Sequence, residues 1–234
     1  AQYDWVPGLF SFFQYQRWRS YLVSRLQAAP GATVLDLCTG TAGVAMQTAR
    51  TRDCRVVGVD LSPKMLLRAQ RNLSSSGLSG RIPLVMGRAE NLAFADACFD
   101  DVSVSFLLRY VDDPESTMRE IIRVFKPGGR LVSLEFGVPP NPVARLLWRF
   151  HTRGVLPVAG ALVSRSWRKV GGFLGNTKAN AEVLLGEVKE LMVQRFALRE
   201  GIALDKFIYS RPAAEDIIES LAERCDFVVT AIAD

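Results

Sequence analysis

The sequence predicts an α/β protein built on a Rossmann-like, doubly wound, mostly parallel sheet. Two observations carry that prediction. Apolar runs of strand length, at 33–38, 55–60, 82–87, 102–108 and 130–136, alternate with stretches of helix length, the order expected of parallel strands joined by crossover helices. The first run, VLDL, leads into the glycine-bearing turn CTGTAG, and the second, VVGVD, ends on the acid Asp60.

The elements follow in order. A helix is expected over about 10–28, ended by Pro30 and Gly31. Val34, Leu35 and Leu37 suit a strand covered on both faces, so the chain must leave the sheet abruptly after Leu37. Gly40 permits that turn without a Cβ clash, and Gly43 lets a helix over 43–51 begin close to the sheet. Val56, Val57 and Val59 build the neighbouring strand and carry Asp60 to its carboxyl end. Ser62-Pro63, a cap followed by proline at the first helical position, opens a helix to about Leu73. IPLVMG at 82–87 reads as the third strand and VSVSFLL at 102–108 as the fourth. PESTMREIIRVF at 114–125 is an amphipathic helix closed by Lys126-Pro127-Gly128-Gly129, and RLVSLEF at 130–136 is the fifth strand.

This order puts a carboxylate beside a small-molecule cleft, where Asp60 can accept from both hydroxyls of a ribose. A dinucleotide reading competes. The dinucleotide fingerprint G-x-G-x-x-G uses its second glycine to bring a pyrophosphate against backbone amides. Gly40 and Gly43, with Thr39, Thr41 and Ala42 around them, leave the chain one glycine short, so a nucleoside without phosphates fits better.

At these residues the chain resembles the class I S-adenosylmethionine methyltransferases. More narrowly, it resembles the UbiE/MenG group that C-methylates ubiquinone and menaquinone precursors. The resemblance runs over residues 2–165. YDWVPGLFSFFQYQRWRSYLV carries the group's Tyr-Asp segment and Arg-Trp-Arg helix, and VVGVDLSPKMLLRA, GRAENLAFADACFD, VSFLLRYVDD, REIIRVFKPGGRLVSLEF and VLPVAGALVS follow in the group's order.

The resemblance implies S-adenosylmethionine as cofactor and a small aromatic or quinol-like acceptor methylated at carbon. The sulfonium and amino-acid end should lie over the turn from Asp36 through Thr39, Gly40 and Thr41 to Gly43, with the ribose on Asp60. Leu61 and Met65 are candidates to flank the adenine, and Tyr3 and Ser105, within matched segments, join the cofactor set. GRAE at 87–90 corresponds to the group's Gly-Asp-Ala-Glu. Arg88 stands where the group has aspartate, leaving backbone at Ala89 to meet the ring edge. Arg109 matches the arginine of the group's Leu-Arg-Asn run and is the candidate cation that stabilises a deprotonated acceptor ring. Tyr110 replaces the asparagine and can hydrogen-bond an acceptor hydroxyl. His151 is a second candidate for proton handling. Tyr3, Trp5, Phe10, Phe12, Phe13 and Tyr15 are dense enough to form an aromatic lid.

Composition narrows the class. A chain of 234 residues with 49% hydrophobic residues supports one full domain and a partial second unit. No apolar run approaches the roughly 18 residues of a membrane span and no signal-peptide pattern opens the chain, so a soluble, cytoplasmic protein is expected. Cys38, Cys54, Cys98 and Cys225 are scattered and His151 is the single histidine, which argues against a disulfide framework and a zinc site. Nothing indicates nucleic acid as a partner. Residues 141–169 mix Leu, Trp and Phe with arginines and Lys169, a composition suited to peripheral contact with a membrane surface where lipid quinols reside.

Two segments are expected, a methyltransferase domain over 1–165 and a divergent α/β segment over 166–234. Residues 1–174 hold 22 basic and 13 acidic side chains, whereas 175–234 hold 7 and 11, an asymmetry consistent with two origins. From 168 onward the chain resembles the opening of the UGSC family, whose members continue into a reactive Cys or selenocysteine followed by Gly-Ser-Cys. The chain stops at Asp234 before that run, so the tail is expected to be an incomplete βαβαβ segment with no redox role. Three functional classes stay open at this point: a methyltransferase, a nucleoside-binding scaffold without turnover, and a truncated fusion with a thiol reductase.

Overall fold

The computed structural model describes residues 11, 14–107, 110, 111, 113–135, 141–163 and 230–233. Helix α1 (Gln14–Arg25) is followed by β1 (Thr33–Leu37), α2 (Gly43–Thr51), β2 (Arg55–Asp60), α3 (Pro63–Ser75) and β3 (Leu84–Met86). Then come β4 (Phe99–Ser105), α4 (Pro114–Val124), β5 (Phe125–Glu135), α5 (Pro142–Phe150), a π-helical turn (His151–Val155), α6 (Leu156–Val163) and β6 (Thr230–Ala233).

Among the described residues the strands form one sheet in the order β3-β2-β1-β4-β5-β6, with every neighbouring pair parallel. The expected doubly wound parallel sheet is therefore present. Alternation along the strands sends side chains to two cores. Leu35, Leu37, Val57, Val59, Val102 and Val104 pack with Met118, Ile121 and Ile122 of α4. Val34, Val56, Val132 and Leu134 pack on the other face with Leu22 of α1, Ala45 of α2 and Leu73 of α3.

Local chemistry explains the boundaries. Ser62 Oγ accepts from the Met65 N–H at 3.4 Å and Pro63 occupies the first turn, so α3 starts where cap and proline agree. The Asp113 carboxylate accepts from the Ser116 N–H at 3.0 Å and starts α4 in the same way. Helix α1 stops at Arg25, before Pro30, because the Gln27 N–H donates to the buried Asp101 carboxylate at 2.7 Å, a tertiary bond that replaces further helix.

One sequence expectation needs correction. Lys126-Pro127-Gly128-Gly129 does not close α4; that helix ends at Val124, and the four residues lie within β5 as a looped-out bulge. Pairing steps from Phe99↔Phe125 to Asp101↔Arg130, setting four residues of β5 opposite the single Asp100. Lys126 Nζ binds Asp100 at 2.7 Å across the bulge. The fourth strand also begins earlier than its apolar run, at Phe99, because Phe99 packs edge-on against Phe94 at 5.0 Å.

Of the expected tail, Thr230–Ala233 falls within the described residues and adds β6 beside Val132–Glu135 of β5. The remainder of the anticipated βαβαβ segment lies outside them.

Candidate functional site

Strand β1 sits between β2 and β4, the switch point at which an open parallel sheet leaves a crevice beyond its carboxyl ends. Three non-glycine residues adopt left-handed backbone in the turns that leave these strands: Cys38 (φ 59°) and Ala42 (φ 65°) after β1, and Phe106 (φ 57°) after β4. Such conformations cost on the order of 1 kcal/mol or more each and persist only where neighbours over-determine them. Here Thr39 N–H donates to Val59 O at 2.9 Å, Ala42 N–H to Thr39 O at 2.8 Å and Phe106 N–H to Leu134 O at 2.8 Å.

Asp60 ties two turns together. Its Oδ2 accepts the Gly40 N–H at 2.8 Å and its Oδ1 accepts the Ser62 N–H at 2.8 Å. Each carboxylate oxygen keeps a second lone-pair direction, and the residue is half-buried, so it can still accept from a diol.

Asp36 lies one strand over and is fully buried. Thr39 Oγ1 and Ser103 Oγ donate to its two oxygens at 2.7 Å each, and the Ala45 N–H of α2 donates as well. Burial nevertheless pushes its carboxyl up to about 6, because three donors do not offset the lost hydration. Asp36 is thus the post that fixes the turn rather than a group facing ligand. Gly58 belongs to the same construction: a Cβ there would sit 2.9 Å from Leu84 and 3.0 Å from the Thr39 hydroxyl.

The electrostatic character of the crevice is read from Cys38. Burial pushes its thiol up to about 12, and the carboxylates of Asp60, Asp36, Glu135 and Glu90 all push in the same direction. Four acids whose charge reaches this thiol favour a cation, and burial first, with those acids second, keeps the thiol protonated and unreactive.

The structure brings Asp36, Thr39, Gly40, Thr41 and Asp60 together at the tips of β1 and β2. Thr41 O accepts from Asn72 Nδ2 at 3.1 Å, which anchors the far end of the turn to α3. Leu61 is 59% exposed and Met65 half-buried at the start of α3, placed on the rim of the crevice. Ser105 ends β4, the other wall of the switch point. After β3, Ala89 is buried while Arg88 is exposed and pairs with Glu90 at 3.7 Å. Tyr110 is 64% exposed. His151 is half-buried in the π-helical turn, on the α5–α6 unit rather than at a strand end. Arg109 and Tyr3 lie outside the described residues, as does most of the proposed aromatic lid. Of that lid, Tyr15 is described: it stacks on Phe106 at 6.4 Å, and burial raises its phenol, lowered in turn by Arg19 and raised again by Asp36.

Sequence reasoning missed Ser103, Phe106 and Arg19. Ser103 had a faint signal, a polar residue repeating with period two inside VSVS. Arg19 lay within the matched Arg-Trp-Arg helix but nothing local tied it to the site, since its place depends on α1 crossing α2, and Phe106 had no signal, since its left-handed turn falls on a residue that is not glycine. Among the described residues no cluster of His, Cys, Asp or Glu forms a metal site, and no helix is long and apolar enough to cross a membrane.

Comparison with known proteins gives two family matches. The model of the ubiE/COQ5 methyltransferase family matches residues 1–174, and that of the UGSC family matches residues 157–234. The chain is 36% identical over 166 residues to a ubiquinone/menaquinone biosynthesis C-methyltransferase of Geotalea daltonii, covering 70% of this chain and 71% of that protein. It is 37% identical over 166 residues to the protein so named in Geobacter sulfurreducens, covering 70% and 65%. A demethylmenaquinone methyltransferase of Desulfitobacterium hafniense is 37% identical over 163 residues, covering 69% and 64%. The matched stretch thus spans about two thirds of these relatives' own length. Among solved structures, phosphoethanolamine N-methyltransferase 2 of Haemonchus contortus superposes with a TM-score of 0.56 at 22% identity, covering 74% of this chain and 36% of that one. The YcgJ protein of Bacillus subtilis gives 0.52 at 17%, covering 76% and 88%. At these identities the two structures attest the fold.

Proposed function

The chain belongs to the ubiE/COQ5 methyltransferase family, and from that premise we propose that it transfers the methyl group of S-adenosylmethionine to a ring carbon of a quinol-like acceptor. The relatives are named for C-methylation in ubiquinone and menaquinone biosynthesis. The observation that carries the reading to this chain is the strand-tip crevice: four carboxylates around Cys38, and Asp60 holding the Gly40 turn. That donor set fits a cationic sulfonium and a ribose diol, and it repels a pyrophosphate.

Bound there, S-adenosylmethionine supplies a methyl group on a sulfonium that leaves as a neutral thioether. The residues of this chain position and polarise. Asp60 takes the ribose hydroxyls, Thr39, Gly40 and Thr41 present turn backbone to the donor's other arm, and Leu61, Met65, Arg88 and Ala89 bound the adenine. Tyr3 and Ser105 complete this set. Little acid–base work is required beyond making the acceptor carbon nucleophilic, and holding it in line supplies most of the acceleration. Arg109, four residues past the end of β4, is assigned the anion of a deprotonated ring hydroxyl, with Tyr110 hydrogen-bonding the acceptor and His151 handling its proton.

The proposal extends to the organisation of the chain: residues 1–165 form the transferring domain, and 166–234 form a divergent α/β segment that adds to the sheet edge. Acceptor delivery is assigned to 141–169, resting on the membrane surface that holds lipid quinols, in a protein otherwise residing in the cytoplasm.

Transfer of labelled methyl from S-adenosylmethionine to a panel of demethylated quinols tests the reading. Incorporation at carbon is expected. Saturable S-adenosylhomocysteine binding with no transfer to any quinol would replace the enzyme with a nucleoside-binding scaffold. Arg109→Ala should lower turnover at least tenfold while S-adenosylhomocysteine affinity stays within about twofold, the scale for losing one charge-stabilising group; retained turnover removes Arg109 from the mechanism.

A further inference from the structure

Gly43 opens α2 and puts no side chain into the space beside its first turn. What the glycine admits is visible: a Cβ there would stand 2.8 Å from one terminal nitrogen of Arg19 and 3.8 Å from its Cζ. The Arg19 guanidinium, reaching across from α1, therefore lies against the backbone at the mouth of the turn. Its Nε donates to Gln47 Oε1 at 2.9 Å and a terminal nitrogen donates to Gln16. These described partners are neutral amides, which aim the guanidinium without neutralising it.

We infer that Arg19 is the group that binds the α-carboxylate of the donor's amino-acid arm, and that Gly43 exists to let it reach. This rests on the donor reading above and assigns one further residue within that site. The charges that act on Cys38 at the end of β1 are all acids, so Asp36, Asp60, Glu90 and Glu135 would repel the carboxylate end of a donor that carries a carboxylate as well as a cation. A guanidinium beside Gly43 in the first turn of α2, with the ribose acid bound to Gly40 three residues earlier, gives each charge of the ligand its own partner. Arginine suits the task because its fork matches a carboxylate with two parallel N–H donors.

The test compares two thioether nucleosides that share adenosine and differ in the amino-acid arm: S-adenosylhomocysteine, which has the carboxylate, and 5′-methylthioadenosine, which lacks it. Calorimetric titration of the full chain should show Arg19→Ala weakening S-adenosylhomocysteine roughly 10- to 100-fold, the range for a lost charge-assisted hydrogen bond, with 5′-methylthioadenosine unchanged within twofold. Gly43→Ala keeps the arginine but pushes its terminal nitrogen aside, and should give a smaller loss of the same selectivity; Arg19→Lys should also fall between. Equal weakening of both nucleosides, or of neither, overturns the assignment. If the unaltered chain binds 5′-methylthioadenosine but not S-adenosylhomocysteine, the inference fails while the nucleoside cleft stands. If it binds neither, the donor reading itself falls and takes Arg19 with it.

Discussion

Asp36 shows how a single residue trades stability for the site. An aspartate in water ionises near 3.8, whereas burial moves this one up to about 6. The folded state therefore holds the proton more tightly than the unfolded chain does. Below about pH 4 both states are protonated and the group costs nothing; between 4 and 6 the unfolded chain ionises first and stability falls, and above about pH 7 the full penalty applies. A shift of about two units corresponds to on the order of 3 kcal/mol. Asp36→Asn should thus raise unfolding free energy at pH 8 by about 1–3 kcal/mol, with the gain vanishing toward pH 4, and should weaken binding of the cationic donor. Denaturant titrations across pH 4–8 check the first claim, and a variant less stable at every pH would show that the ion's three hydrogen bonds outweigh its desolvation. Asp60 differs in kind: half-buried, it uses one lone pair on each oxygen for a turn amide. Asp60→Ala should weaken S-adenosylhomocysteine by about 1–3 kcal/mol in titration calorimetry, the scale for a charged hydrogen bond left unmade.

At the scale of elements, the strand ends are where local and tertiary signals part. The bounds of α2 and β2 were legible residue for residue, because Gly43 and Asp60 are punctuation that the chain writes locally. The Ser62-Pro63 start of α3 was legible for the same reason. The bond from Ser103 to Asp36 was not: it joins residues 67 apart, and the period-two serines of VSVS do not say which partner they meet. Nor was the left-handed turn at Ala42, since alanine gives no sign of the positive φ that glycine advertises. The Lys126-Pro127-Gly128-Gly129 run was misread because Pro and Gly end helices and also form bulges, and only the partner strand decides between them. That partner makes a sharp prediction. A Cβ on Gly129 would lie 2.2 Å from the Asp100 carbonyl oxygen and 2.9 Å from the Phe125 ring, so Gly129→Ala must separate β4 from β5. The loss expected is about 2–3 kcal/mol, the upper part of the usual range for a forced steric clash. Chemical denaturation measures it, and a change below about 1 kcal/mol would mean that the bulge relaxes freely.

For the whole molecule, the proposed quinol reading requires a crevice lined with acids to meet an acceptor held in lipid. No Asp or Glu occurs between Glu135 and Glu182, and the α5–α6 unit within that stretch carries Arg145, Arg149 and Arg153. Val143, Leu146, Leu147 and Phe150 recur at the i, i+3, i+4, i+7 spacing of one helix face, and each is 63–69% exposed. Helix α5 buries none of its residues, so among the described residues its apolar stripe joins no core. A stripe of this kind beside arginines matches a helix lying in the headgroup region of an anionic bilayer, where each basic residue contributes about 1 kcal/mol and the apolar side chains anchor it. The chain should therefore co-sediment with phosphatidylglycerol vesicles and bind phosphatidylcholine vesicles at least fivefold less. Replacing Leu147 and Phe150 together by asparagine should reduce the first binding by a similar factor while leaving S-adenosylhomocysteine affinity unchanged, because neither residue stands at a strand tip. Raising salt to about 0.5 M should weaken attachment, the Debye length being then only about 4 Å. A chain that ignores both vesicles and elutes as a dimer until those two residues are changed would show instead that the stripe is covered by a second copy.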